Sequence, residues 1–370
     1  ARDVLTPEDA KQLLTDTTAE LLALPPGRDS SLVRLNLAIH LIDTTLTPQS
    51  FSHPALSDAF IASLLAETVE AARILEDKTV ESYALGYLGH LYEQRDRLVE
   101  ALTATQQAIT VGMERPTDSA YRWYWQLGRI FNRQNQPALA IGAYREAKQI
   151  IEGQQSSAAL LNPSEQFSFQ QEIEPVYREL ASLLLSEADS LNAETKTIKN
   201  DETQNPEAQN IKEAQEVIAS LQKAELINFF RADCIDSIPQ PIGEIANSAQ
   251  NTAIIHPVIL DDRLEINVQI PNQSLRQQSV PVDKLELESL VQAFSQKVGS
   301  LRSDVQSSGG VGLVIRRETV NTKTQAELSS QLYDYLITPI KRFLVPEVDT
   351  LVFILDGSLR NIPLAALYND

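Results

Sequence analysis

The chain has 370 residues, enough for two or three domains at the usual ~150 residues each, and 43% of them are hydrophobic, enough for sizeable cores. Fifty acidic against 31 basic residues give a formal net charge of −19. That excludes the basic faces needed for nonspecific nucleic-acid binding or for adhesion to an anionic membrane, and no apolar run approaches the ~20 residues of a membrane span.

In chain order, Thr6-Pro7-Glu8-Asp9 predicts a helix start: a hydroxyl cap, a proline where no amide partner is needed, then acids at the positive end of the dipole. Leu13, Leu14, Leu21 and Leu22 then share one helical face. Ser31–Leu46 and Ala55–Leu75 read as the next helix pair, parted by a turn over Pro48–Pro54. Leu88-Gly89, Tyr92, Ala101, Ala104 and Ala108 recur 39 positions later as Leu127-Gly128, Phe131, Ala140, Ala143 and Ala147. Small residues at Gly89 and Ala101 let two antiparallel helices approach closely, while Leu88 and Tyr92 fill the space beside that contact. This pattern resembles the tetratricopeptide helix pair, whose usual period is about 34, with the extra residues falling in the link Glu114–Ser119. Pro175–Ser186 and Ile211–Phe230 read as a last pair, enclosing a polar insertion at about 192–210. The expectation is a stacked helical solenoid over residues 1–234, since single pairs cannot bury their faces alone.

After Arg231 the pattern changes. Residues 235–252 read as a linker rich in proline, serine and asparagine. Ala253–Leu260 and Leu264–Ile270 flank Asp261-Asp262 as a hairpin. Val282–Val298 and Thr324–Leu344 have helical periodicity, and Ser307–Gly312 reads as an ordinary turn, because Gly309-Gly310-Val311-Gly312 lacks the lysine of a phosphate loop. Thr350–Leu355 predicts a strand buried on both faces, Asp356-Gly357 ends it, and Ile362–Leu367 opens a helix. Strand, tight turn and helix together predict the start of a parallel α/β domain over residues 253–370.

Three segments resemble the bacterial CHAT family, in which tetratricopeptide repeats precede a caspase-like domain. LQKAELINFFRADC (Leu221–Cys234) resembles the last helix before that domain, and Ala253–Arg276 its opening hairpin. Leu332–Asp370 resembles its first core helix, strand and turn, through Leu336, Pro339, Leu351–Leu355, Asp356-Gly357, Leu359-Arg360, Ile362-Pro363 and Ala366-Leu367. The resemblance implies a mainly α chain: a helical solenoid followed by the incomplete start of an α/β caspase-like domain. The histidine and cysteine of the peptidase dyad would lie past Asp370, so no catalytic residue carries over. It further implies a protein- or peptide-binding arm that regulates a cysteine peptidase, with the remainder of the caspase-like domain as a partner. The alternative is a non-enzymatic adaptor whose caspase-like domain is inactive.

The candidate partner-binding groove is one helical face. Arg122, Trp125, Arg129 and Arg133 recur at three- or four-residue spacing, opposite Tyr124, Leu127, Gly128 and Phe131, which the repeat pattern buries. Tyr83, His90, Glu93 and Gln94 occupy the same wall one repeat earlier. Guanidinium forks suit carboxylates, so an acidic peptide or a terminal carboxylate is the expected ligand, set against a solvated face, or arginines paired with the protein's own acids such as Glu93. Asp356, at the carboxyl end of a strand, is a candidate for holding a basic substrate side chain, against the simpler role of shaping its Asp-Gly turn. Cys234, the single cysteine, reads as an inert apolar side chain, and with His40, His53, His90 and His256 dispersed, no metal or cofactor is expected. One cysteine allows no intrachain disulfide, which favours the cytoplasm and leaves room for a cysteine-poor exported protein.

Overall fold

The computed structural model describes residues 7–25, 27–45, 57–114, 120–155, 169–194, 206–230, 251–270, 273, 275–304 and 324–368. Outside these lie Cys234, His53, most of the 192–210 insertion and of the 235–252 linker, the links at 48–54 and 115–119, and the 307–312 turn. The chain is mainly helical with a small four-stranded sheet, and its contacts divide it into Ala1–Val176 and Tyr177–Asp370.

The first unit is a run of helices, each packed on the next: α1 (Pro7–Leu22), α2 (Arg28–Thr45), α3 (Asp58–Ile74), α4 (Lys78–Gln94), α5 (Leu98–Glu114), α6 (Ala120–Arg133) and α7 (Pro137–Gln155). A π-turn, Phe169–Ile173, follows. Local chemistry fixes the ends. Ser57 and Asp77 accept the N–H groups of Phe60 and Val80, capping α3 and α4. Glu76, Asp96 and Asn135 take left-handed φ values of 53°, 58° and 55°. In each case the next N–H reaches back five residues, Asp77 to Ala72, Arg97 to Tyr92 and Gln136 to Phe131, satisfying carbonyls that the helix end leaves open. The last two turns are the same structure 39 positions apart, and they fold α4 on α5 and α6 on α7.

Gly89 and Gly128 lie where the sequence places them, at the crossing of paired helices. A Cβ on Gly89 would stand 2.6 Å from the Thr105 hydroxyl of α5, and one on Gly128 2.9 Å from the Tyr144 ring of α7. Ala101, Ala108, Ala140 and Ala147 are fully buried beside them. One expectation fails on α6. Tyr124, Leu127 and Phe131 are only half-buried, and Tyr121, Trp123, Gln126 and Ile130 are buried instead. The cause is Gly86 on α4, which admits the whole Trp123 indole between Tyr83 and Tyr87, with ring centroids 5.9 and 5.6 Å away and edge-on.

The second unit holds the rest of α8 (Glu174–Glu194), then α9 (Pro206–Phe230), β1 (Thr252–Ile259), β2 (Leu264–Gln269), β3 (Arg276–Val280), α10 (Lys284–Asp304), α11 (Gln325–Leu336) and β4 (Thr350–Phe353). The helical pattern of the sequence places the α8–α9 pair with the repeats up to residue 234; by contacts, all of it from Tyr177 onward belongs with the sheet. The strand order is β3-β2-β1-β4. β1 and β2 form the expected antiparallel hairpin, closed by the Leu260 N–H on the Arg263 carbonyl, and β4 runs parallel to β1. Ala253, Ile255, Ile259, Ile266 and Val268 line one face and pack with Leu287, Val291 and Phe294 of α10 and Leu328, Leu332 and Leu336 of α11.

Three further expectations are corrected. The helix over Thr324–Leu344 stops at Leu336, because Pro339 cannot continue it, and a 3-10 turn (Thr338–Phe343) takes over. β4 is not buried on both faces: it pairs with β1 alone among the described residues, leaving Leu351 and Val352 each 38% exposed. Ile362–Leu367 forms no α-helix; 3-10 turns at Gly357–Asn361 and Leu364–Ala366 flank Pro363.

Candidate functional site

The α4–α6 face brings five of the eight proposed groove residues into direct contact. Arg129 sets its fork on Glu93, Nε to Oε1 at 2.8 Å and Nη2 to Oε2 at 2.9 Å, with its guanidinium 4.3 Å over the Trp125 ring. His90 Nδ1 lies 3.6 Å from Glu93 Oε2. Arg133 donates to the Glu93 backbone carbonyl at 2.7 Å and to Asp96 Oδ1 at 2.8 Å. Burial alone would raise the Glu93 carboxyl, but the His90 ring and the Arg129 guanidinium outweigh it and hold the group at about 2. The other three stand apart. Tyr83 packs edge-on against Trp123, Gln94 is exposed, and Arg122 turns to Glu172 of the π-turn, which also accepts the Tyr121 hydroxyl.

Of the two readings of this face, the contacts agree with arginines paired to the protein's own acids. Arg129 is engaged by a buried carboxylate, Arg122 by Glu172 and Arg133 by Asp96. At Arg129 an acidic ligand would have to displace Glu93, a carboxylate already buried and doubly bonded. Two separate half-buried aromatic groups remain on these helices: Tyr83 and Tyr87 of α4 against Trp123, and Trp125 of α6 beneath Arg129. Half-buried rings of this kind can grip apolar side chains.

Asp356 is likewise not an open acidic pocket. It is completely buried: Oδ2 accepts Arg178 Nη1 at 2.8 Å and the Ile259 N–H at 3.0 Å, and Arg178 Nη1 also donates to the Ile259 carbonyl at 2.9 Å. Nearby, His256 is buried on β1; burial lowers its pKa to about 4, with the Asp356 charge pulling the other way. Among the described residues neither of its ring nitrogens has a hydrogen-bond partner, and neither has either amide atom of Asn267, directly opposite on β2.

No family model and no curated protein matches the chain. A crystal structure of BtubC (BKLC) from P. vanneervenii is a weak structural neighbour, 18% identical over 57% of this chain and 94% of that one, with a TM-score of 0.29. Among the described residues no three histidine, cysteine or acidic side chains converge to hold a metal, and no helix is long and apolar enough to cross a membrane.

Sequence reasoning missed Gly86, Trp123, Gln126 and Arg178. Gln126 is buried and donates to the Gly86 carbonyl at 3.1 Å and to the Thr105 hydroxyl at 2.6 Å, tying three helices. A buried glutamine on an amphipathic helix carries no periodic mark. Arg178, on the apolar stripe of α8 between Tyr177 and Leu180, was a legible anomaly, because buried arginines are almost always paired.

Proposed function

We propose that this chain is a protein- and peptide-binding helical-repeat scaffold of tetratricopeptide type that serves as the regulatory arm of a caspase-like CHAT domain. The observation that carries the reading is the 39-residue repeat: two helical hairpins closed by the same left-handed turn, with glycine and alanine at each crossing. The second unit supports the caspase-like part through its hairpin and its parallel β1–β4 pair. Peptide chemistry would fall to a histidine and a cysteine for which this chain offers no counterpart. The adaptor reading draws on the Arg178–Asp356 pair, which takes the carboxyl-end position of β4 away from a substrate.

The ligand this reading favours is an extended peptide with apolar side chains, rather than an acidic one, held on the half-buried aromatic rings of α4 and α6. The test is selection of displayed peptides on the whole chain, followed by Tyr83→Ala, Trp125→Ala and, as a control on exposed Met113, Met113→Ser. Loss of binding at the two aromatic positions alone supports the reading. Peptides that bind equally well to all three variants, or no enrichment at all, would contradict it.

A further inference from the structure

The two faces of the sheet meet their helices through different chemistry. Successive side chains of β1 alternate between the faces. Ala253, Ile255 and Ile259 join the apolar cluster under α10 and α11, which includes no residue of α8. Ile254, His256 and Val258 point the other way, and the register sets Glu265 and Asn267 of β2 and Gln277 of β3 beside them. Polar bonds fix α8 to that second face. Arg178 donates to the Ile259 carbonyl and pairs with Asp356, while Arg263 donates to the Ser182 carbonyl at 3.2 Å and the Ser186 hydroxyl at 2.8 Å. Gln277 donates to the Leu185 carbonyl at 3.4 Å. Positions 178, 182, 185 and 186 follow one stripe of the helix. Water can take over each bond of that stripe, whereas apolar burial on the first face has no such substitute.

Two further side chains favour release. His256 and Asn267 are 2% and 1% exposed, yet among the described residues none of their four side-chain nitrogen and oxygen atoms has a hydrogen-bond partner. They lie on the face that α8 covers, between its bond at Ile259 of β1 and its bond at Gln277 of β3. With α8 in place these atoms are cut off from water and gain nothing in return; with α8 lifted, water meets them. We propose that α8 is a releasable strap, which lifts from the second face and settles back while the sheet stays folded on α10 and α11. The contacts of the chain divide within this helix, after Val176, so release follows a boundary already present. It bares a polar sheet face carrying His256, Glu265, Asn267 and Gln277. Release depends on the sheet alone, whether or not α4 and α6 bind peptides.

Thiol labelling of the whole chain under native conditions tests it, in a Cys234→Ser background that leaves no other cysteine. Val258→Cys sets a thiol on the second face and Ile255→Cys one on the first, on the same strand, where the parent residues are 1% and 0% exposed. An aromatic disulfide reagent should modify Val258→Cys at least ~10-fold faster and with a weaker urea dependence, because a local opening exposes less surface than global unfolding. Adding His256→Leu and Asn267→Leu removes the stranded atoms and should slow labelling of Val258→Cys by ~10-fold or more. Equal rates and equal urea slopes at the two positions, or labelling of Val258→Cys that the added substitutions leave unchanged, would overturn the proposal. Should Val258→Cys not fold, Ile254→Cys, on the same face and equally buried, takes its place under the same criteria.

Discussion

Replacing Gly86 by alanine adds one methyl group where, among the described glycines, a Cβ would meet its closest neighbour. Its Cβ would stand 2.4 Å from Cζ2 and Cη2 of Trp123 and 2.5 Å from Cε2, well inside van der Waals contact. The indole cannot step aside, because it is buried and held edge-on by Tyr83 and Tyr87. Nor can α4 shift freely, since the Gly86 carbonyl accepts from Gln126. Overpacking of this kind costs about 1–3 kcal/mol. Against it stands the intrinsic gain of alanine over glycine within a helix, about 1 kcal/mol. Gly142 on α7 isolates that gain, because a Cβ there meets nothing within 4 Å. Gly142→Ala should therefore be stabilising, and Gly86→Ala should fall about 1–3 kcal/mol below it. Both tryptophans of the chain, Trp123 and Trp125, sit on α6, so urea unfolding followed by tryptophan fluorescence reports this unit. In a Trp123→Ala background the penalty at Gly86 should vanish. Equal stability of Gly86→Ala and Gly142→Ala would refute the reasoning.

Arg129→Met should destabilise the helical unit by about 3–5 kcal/mol, since it strands the buried Glu93 carboxylate, and Glu93→Gln in the same chain should restore much of the loss in a urea titration. Acidification should act on the two units in different windows. His256 titrates at about 4 in the folded chain against about 6.5 unfolded, so the unfolded state binds the extra proton between those values. Stability of the second unit should fall as pH drops through that window, by up to about 3 kcal/mol, and His256→Leu should flatten the fall in hydrogen exchange of β1 and β2. Glu93 lies below its unfolded value, so the helical unit keeps that contribution above about pH 4.5 and loses it toward about pH 2, read by tryptophan fluorescence. Glu76→Gly should raise the thermal midpoint, gaining about 0.5–1 kcal/mol, because φ 53° is strained for any residue with a Cβ.

Much of the architecture is local and was readable for that reason. The Leu-Gly pair with its trailing alanines marks helix crossings, and Asp261-Asp262 between apolar runs marks a hairpin; both signals span few residues. The partners of charged side chains are not local. Arg129 and Glu93 are 36 positions apart, but the repeat sets them on one wall, so their pairing is legible as one of two readings; Arg178 and Asp356 are 178 apart, and no spacing relates them. The Gly86–Trp123 contact was hidden because Gly86 has no counterpart in the next repeat, where the aligned residue is Trp125. β4 misled in another way. Its apolar run reports a strand that packs well, while its place in the strand order depends on how the chain crosses the sheet.

The central claim is that α4 and α6 form the recognition face of this scaffold. Hydrogen–deuterium exchange of the whole chain, with and without a saturating selected peptide, measures that directly. Protection should gather over Lys78–Gln94 and Ala120–Arg133, with Lys284–Asp304 unchanged. Protection confined to other elements, or none at saturation, would contradict it.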